Sequence, residues 1–471
     1  MTRAVVVGSG PNGLAAAVRL AQAGLDVEVL EAATDIGGGT RSSELMRPGV
    51  LHDHCSAFHP LGVASPYLAS LPLERYGLRW RWPEIDCAHP LDDGTAGLLY
   101  RDLDATARAL GADGARWKAL FGPIAARMDD VAVEILRPVA HLPRHPLVLA
   151  RTALRVLPPA TILARYLRTP QARALLTGMA AHGFTRLDRP GSSAAGVMLV
   201  AAGHRHGWPV AQGGSSSITA ALAALLGDLG GHVHTGVHVR DRADLADADV
   251  VVLDVLPEAA AQILGDAMPR RIRRTFGRRR PRAAAFKVDY VIDGEVGWTA
   301  PGCERAGTVH LGGTYTEIAD AERQVLAGTM PQRPFTLVGQ QWLADPGRAA
   351  GNLHPLWAYA HVPAGYDGPA AEAITAQIER FAPGFAERIV DMHVTSPAQL
   401  AQDNPNNVAG DIGGGPNDLL HLVARPRATV RPYGTGVDGV YLCSSSTPPG
   451  GGVHGMCGFH AAGAALTDLD R

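Results

Sequence analysis

The sequence predicts an α/β protein built on a parallel, doubly wound sheet of the Rossmann type, with a second domain interleaved into it. Three observations carry that expectation. An apolar run leads at once into a glycine-rich turn at residues 4–13, a second apolar run ends in the acid Glu31, and 471 residues exceed one ordinary core.

Residues 4–7 (Ala-Val-Val-Val) have the β-branched content of a strand buried on both faces. In the turn after them, Gly8 permits the tight bend, Gly10 lets a pyrophosphate approach the backbone, and Gly13 lets the next helix pack close to the strand. Residues 14–23 are helix formers with one apolar face, and Gly24 supplies a stop. The unpaired N–H groups at that helix start face the phosphates. Residues 27–30 form the second strand. Glu31, eighteen residues after Gly13, is placed to accept from the hydroxyls of a ribose without a 2′-phosphate. Because strand, turn, helix, strand and acid arrive in register, the unit predicts a dinucleotide site.

Ile36-Gly37-Gly38-Gly39-Thr40-Arg41-Ser42 follows directly, so its backbone and Arg41 can reach the same pyrophosphate from the other side. This stretch resembles the flavoprotein variant of the Rossmann unit in amine oxidases and phytoene desaturases, which bind FAD. Residues 439–458 set a strand, a small-residue turn and the triple glycine Gly450-Gly451-Gly452 ahead of a helix at 459–466. With Asn404-Pro-Asn-Asn-Val-Ala-Gly-Asp-Ile-Gly-Gly-Gly415 upstream, this passage resembles the closing signature of the phytoene desaturase-like oxidoreductases, which include carotenoid desaturases, carotenoid isomerases and retinol saturases.

The resemblance covers nearly the whole chain. It implies an FAD-binding domain of the glutathione reductase-like or amine oxidase-like type, assembled from residues 1–103, 190–270 and 420–471. The α+β substrate domain then comprises a helical cap at 104–189 and a mixed sheet at 271–419. Implied FAD contacts come from Gly8, Ser9, Gly10, Asn12, Gly13, Leu14, Glu31 and Ala32, then Gly38, Gly39, Thr40 and Arg41, with Val239 beside the adenine. The C-terminal passage adds Ser444, Ser445, Gly452, Val453, His454 and Met456. A helix start there can hold negative charge on a reduced flavin.

Bulk properties exclude other classes. A net charge of −2 without a long basic block gives no reason to propose nucleic acid. Five scattered cysteines without CxxC spacing suit a reducing cytosol and offer no zinc site. No signal peptide is recognised, and no uninterrupted apolar run is long enough to span a bilayer.

Residues 43–103 read as extended loop and strand. His52, His54 and His59 invite a metal reading, but no further ligand motif accompanies them. The resemblance instead implies that this segment passes the flavin ring, making Cys55, Ser56 and His59 pocket residues; histidines on a solvated strand are the plainer alternative. Residues 104–186 read as helices. Within them, residues 145–168 are rich in leucine and arginine and lack acids, which suits either a cap over an apolar pocket or a helix lying on a membrane surface.

Residues 203–239 return to the first domain's style. A helix at 218–229, capped by Ser215, Ser216 or Ser217, precedes a strand at 232–239. Residues 247–254 form another parallel strand ending in an acid, with no second glycine motif after it, which argues against a separate NAD(P)H domain. The arginine-rich run at 270–282 reads as solvated helix and linker. Strands follow at 285–292, 308–313 and 357–363, and a helix at 370–381. Alternation places Lys287 and Asp289 on one strand face. Only two lysines occur, Lys118 and Lys287, so Lys287 is either a compact donor near the reacting atoms or half of a surface pair with Asp289. Lys287, His310 and His59 are the candidate catalytic residues, with Tyr359 and His361 as further pocket candidates.

The resemblance implies hydride transfer from a lipophilic, polyene or isoprenoid-like substrate to flavin N5, with oxygen, a quinone or another acceptor reoxidising the flavin. Two alternatives stand beside this: a redox-neutral double-bond isomerase using reduced flavin, and a non-catalytic flavin-binding partner protein. A peripheral membrane contact accompanies the lipophilic substrate in this reading.

Overall fold

The computed structural model describes residues 2–277 and 281–470. Two sheets organise it. A five-stranded, all-parallel sheet runs in the order Val440–Leu442, Val250–Leu253, Arg3–Val7, Asp26–Leu30, His232–His234. Its central strand is buried on both faces from Ala4 to Val7, as the β-branched run requires.

The helix after the glycine-rich turn is Pro11–Gln22, beginning three residues earlier than expected. Proline suits the first helical position, where its fixed φ is preorganised and its missing N–H costs no bond. Gly13 therefore lies inside the helix's first turn, and a Cβ there would stand 2.0 Å from the Gly8 carbonyl oxygen. The last helix, Met456–Leu469, likewise starts three residues early. It crosses the first helix so tightly that a Cβ on Gly458 would lie 1.8 Å from the Asn12 carbonyl oxygen. That close approach brings two helix N-termini to one place.

The strand expected at 232–239 is shorter, His232–His234, because the chain turns at Gly236 (φ 71°). Gly236 and Val237 then donate backbone N–H groups to the Ala33 and Glu31 carbonyls. Val239 follows in a loop. Ser215 occupies the cap position of the helix Ser216–Asp228, but its side chain makes no capping bond; its hydroxyl donates to the Ser56 carbonyl.

The second sheet has seven strands, ordered Ile389–Thr395, Ala283–Asp293, Leu353–Pro363, Thr336–Gly339, Ala306–Leu311, Ile85–Pro90, Ala96–Leu99. It is mixed: Ala306–Leu311 pairs in parallel with Ile85–Pro90, and the other neighbours are antiparallel. Ile85–Pro90 and Ala96–Leu99 belong to this sheet although they precede the boundary expected at residue 103. Short helices, Pro60–Val63 and Pro66–Ser70, also occupy the segment expected to be extended. Both start at prolines that end the preceding extended chain.

Seven helices from Leu103–Ala109 to Ala194–His206 form the cap, which continues past residue 189. Pro170–Ala181 and Ala194–His206 pack together, and a Cβ on Gly196 would lie 2.9 Å from the Ala180 nitrogen. Of the arginine-rich run, Arg270–Phe276 is helical; residues 278–280 lie outside the described residues.

Candidate active site

A cavity of about 1290 Å³ runs from the glycine-rich turn into the space between the mixed sheet and the helical cap. At one end it is bordered by backbone. Gly8, Gly10 and Asn12 meet Gly38, Gly39, Thr40 and Arg41, and a Cβ on Gly38 would sit 3.3 Å from the Gly10 Cα. The two glycine turns thus touch. Glu31, Ala32 and Val239 border one side; Ser444, Ser445, Gly452, Val453 and His454 border the other.

Four residues expected to touch a cofactor are set back from this lining. Ser9 turns inward, donating its N–H (2.8 Å) and hydroxyl (2.7 Å) to Glu31 Oε2, which fixes the carboxylate at the strand end. Gly13 donates its N–H to Asp254 Oδ2 at 2.8 Å. Leu14 and Met456 are core residues.

The lining has the chemistry of a dinucleotide site. Glycines leave the backbone open to a pyrophosphate, and the starts of Pro11–Gln22 and Met456–Leu469 adjoin it. Asn12 Oδ1 and Ser444 Oγ are buried without a partner among the described residues, and both residues border the cavity. Buried polar atoms of this kind need a ligand or water to satisfy them.

Toward the cap the lining becomes aromatic and apolar: Phe184, Trp208, Trp357, Tyr359, Met198 and Leu199. Phe184 has φ 50°, a left-handed conformation uncommon for a bulky residue. Its ring stacks on His361, with centroids 3.8 Å apart. Cys55, Ser56 and His59 lie where the backbone-lined and aromatic parts join. His59 Nε2 is 2.9 Å from Ser215 Oγ, and burial pushes its imidazole down to about 4. His182 also borders the cavity; burial, with His361 adding repulsion, pushes it down to about 3. Both stay neutral at physiological pH, so neither adds imidazolium charge to the chamber.

Lys287 and His310 do not border the cavity. Lys287 is ion-paired to Asp289, as alternation along the strand required, but the pair is buried rather than on the surface. Burial pushes the Asp289 carboxyl up, and Lys287 and His52 outweigh it, leaving it below the usual carboxylate range. His310 sits behind His182, their Nε2 atoms 3.0 Å apart, and burial among neighbouring histidines holds it well below the ordinary imidazole value. Tyr359 borders the cavity, whereas His361 Nδ1 donates to Glu322 Oε1 (2.7 Å) behind Phe184. His52, His54 and His59 reach different partners: Asp289 at 3.6 Å, Ser43 Oγ at 2.8 Å and Ser215.

Sequence reading missed two features. The first is Asp254, which faces the glycine turn; burial pushes its carboxyl up to about 7. Its signal was present, since a strand pairing beside the first one delivers its final residue to the turn. The second is a buried ionic cluster in which Arg348 pairs with Asp53 and with Asp345 at 3.1 Å and donates to the Ala211 carbonyl at 2.7 Å. Asp53 also accepts from Ser42 Oγ and Ser215 N, both at 2.7 Å. The cluster fastens the chain after Arg41 to the start of Ser216–Asp228.

A parallel sheet with a double glycine cradle, joined to a mixed sheet under a helical cap, defines a Rossmann-type oxidoreductase fold. Residues 6–71 match the NAD(P)-binding Rossmann-like domain family. Pyridine nucleotide-disulfide oxidoreductase domain-containing protein 2 of Mus musculus is 24% identical, the alignment covering 99% of this chain and 93% of the relative. Hydroxyneurosporene desaturase of Rhodobacter capsulatus is 27% identical, with 99% and 98% covered. Among solved structures, wild-type putrescine oxidase bound to putrescine superposes with a TM-score of 0.60 at 20% identity, covering 100% of this chain and 99% of that one, a likeness of fold. The chain is an oxidoreductase with sequence similarity to a carotenoid desaturase along nearly its whole length.

Proposed function

We propose that the protein binds FAD along the glycine cradle and dehydrogenates a lipophilic substrate held in the aromatic chamber. The observation that carries this reading is the continuity of the cavity from Gly8 and Gly38 to Phe184 and Trp357. Its volume exceeds the roughly 300–1,000 Å³ of a pocket for one drug-sized ligand, so it has room for a dinucleotide and a substrate end to end. Bound FAD supplies the hydride acceptor. Desaturation takes a hydride and a proton from adjacent carbons and leaves a double bond, and oxygen, a quinone or another acceptor takes the two electrons onward.

The chain's own residues bind, orient and exclude water. Glu31, held by Ser9, accepts from ribose hydroxyls, while the N-termini of Pro11–Gln22 and Met456–Leu469 meet the pyrophosphate and the polar edge of the ring. Neutral His59 and His182 add no charge beside the aromatic lining, which suits an uncharged substrate there. The desaturase relative acts on hydroxyneurosporene by name, and that likeness supports an isoprenoid-like substrate here.

An absorbance spectrum of the purified protein before and after acid precipitation tests the cofactor. A yellow supernatant is expected. Anaerobic addition of apolar isoprenoids is then expected to bleach the flavin. A colourless protein that takes up no added FAD refutes the reading, and bleaching by no apolar substrate but by polar amines refutes its substrate half.

A further inference from the structure

Behind the chamber wall, where helix Pro170–Ala181 meets the mixed sheet, imidazoles run in series. His182 follows that helix and is half-buried where it borders the cavity, whereas His310 and His89, on adjacent strands, are fully buried. Among the described residues no group of three such side chains is placed to hold a metal ion. Burial pushes His182 down to about 3 and His89 to about 4 and holds His310 well below the ordinary imidazole value, so all three rest neutral at physiological pH. Gly178 stands inside the helix, where glycine weakens it, and a Cβ there would lie 3.0 Å from both His310 Nδ1 and His89 Nδ1. The missing side chain is what lets the two inner rings approach.

Hydrogen bonds fix which nitrogens carry protons. A carbonyl only accepts, so His89 Nε2, 2.9 Å from the Gly313 oxygen, is protonated and His89 Nδ1 is bare. His310 Nδ1 and His89 Nδ1 flank the same spot at Gly178, and neither has another partner. Two bare nitrogens there would repel, whereas a proton on His310 Nδ1 faces the His89 lone pair. His310 Nε2 is then bare and accepts from His182 Nε2 at 3.0 Å. The free lone pair is left on His182 Nδ1, at the residue that borders the cavity. The Gly313 carbonyl thus sets the direction of a chain whose accepting end lies at the chamber. His59 is placed differently: its Nδ1 is buried and its Nε2 is engaged by Ser215.

We propose that His182 is the proton acceptor of the dehydrogenation, and that His310 and His89 are positioning residues that keep its Nδ1 bare and share the charge it gains. The role rests on the function proposed above. As the hydride leaves one substrate carbon, the C–H bond on its neighbour breaks, the electron pair becomes the second bond of the new alkene, and the proton goes to His182 Nδ1. Loss of the hydride leaves that C–H far more acidic than an imidazolium, so a weakly basic nitrogen is sufficient. The Nε2 proton of His182 then shifts to His310 Nε2, which moves positive charge out of the apolar chamber. At the far end Glu317 favours charge on His89 and Arg380 opposes it; at the near end His361, bonded to Glu322, opposes it on His182. The imidazolium is therefore short-lived, and it returns its proton to water once the alkene has left.

Two measurements test this. Nitrogen-15 NMR of the full chain labelled at histidine, without substrate, is expected to show Nδ1 protonated in His310 and bare in His182 and His89. Anaerobic flavin bleaching is then followed with whichever of a panel of apolar isoprenoids, hydroxyneurosporene among them, bleaches the wild type fastest. His182→Gln is expected to slow it at least about 100-fold, with bound-flavin absorbance and the half-saturating isoprenoid concentration unchanged. Added imidazole is expected to restore part of the rate to His182→Ala, which a purely structural role would not allow. A proton on His182 Nδ1 in the resting protein overturns the proposal, as does bleaching of His182→Gln at the wild-type rate. So does a loss in His182→Ala that imidazole leaves untouched, which would make His182 a packing residue. A wild type that no isoprenoid bleaches removes the proposed function and this role together, whereas a bleached wild type with an unaffected variant removes the role alone.

Discussion

Replacing Arg348 by methionine tests whether the buried cluster or the packing around it holds the strand pair Ser42–Ser43 and His52–Asp53 in place. Arg348 and Asp53 are both fully buried, and the guanidinium serves two carboxylates and the Ala211 carbonyl. Removing one partner of a buried ion pair costs about 3–5 kcal/mol, and the orphaned carbonyl adds about 1 kcal/mol. The cost also depends on pH. Burial pushes the Asp53 carboxyl up, but Arg348, Ser215 and Ser42 outweigh it and leave it below its ordinary value. In the wild type its contribution is therefore complete above the unfolded carboxylate value and is lost only as pH falls through a still lower one. Without Arg348 the buried carboxylate loses its cation and its pKa rises, so it takes up a proton at mildly acidic pH and the penalty shrinks. Urea unfolding of Arg348→Met is expected to show a deficit of about 4 kcal/mol near pH 7 that narrows toward about pH 5. Adding Asp53→Asn is expected to recover part of it. A deficit under about 1 kcal/mol, or one constant across that range, would show that the charges carry little of the stability.

Three further outcomes follow from the cradle. Gly13→Ala sets a Cβ 2.0 Å from the Gly8 carbonyl and is expected to weaken FAD binding at least about tenfold by fluorescence titration; undiminished affinity would mean the helix start can shift freely. Ser444→Ala removes a hydroxyl without a partner, so the melting temperature is expected to hold or rise while FAD affinity falls about fivefold, roughly one hydrogen bond. Loss of folding stability with affinity intact would contradict this. Asp254, raised to about 7 by burial with Glu31 adding repulsion, has a folded value above its unfolded one. Its ionisation therefore destabilises the fold progressively as pH rises from about 4 through 7. Asp254→Asn is expected to flatten that portion of the melting-temperature profile, and parallel profiles would refute it.

Local, contiguous features were legible from residues alone. The strand at Arg3–Val7, the strand ending before Glu31 and the Lys287–Asp289 face all arise from spacings of a few residues, and the structure has them. What escaped depends on partners far apart in the chain. Ile85–Pro90 reads as an isolated strand until Ala306–Leu311 lies beside it. Alternation fixes which side of a strand Lys287 occupies, but whether that side meets water depends on helices and loops placed elsewhere. Arg348 and Asp53 stand 295 positions apart, and nothing near either announces the other. The early starts of both cradle helices were local but misread, since Pro11 begins a helix and Met456 follows a glycine with φ 67°.

The crossing of the first and last helices at Asn12 and Gly458 has a consequence for synthesis. A ribosome releases the amino-terminal turn hundreds of residues before the helix that seats against it, and the edge strand Val440–Leu442 arrives equally late. A nascent chain therefore owns half a cradle for most of its production. A chain ending before Ser444 lacks the wall formed by Ser444, Ser445 and residues 452–454, and is expected to bind no dinucleotide at the cradle.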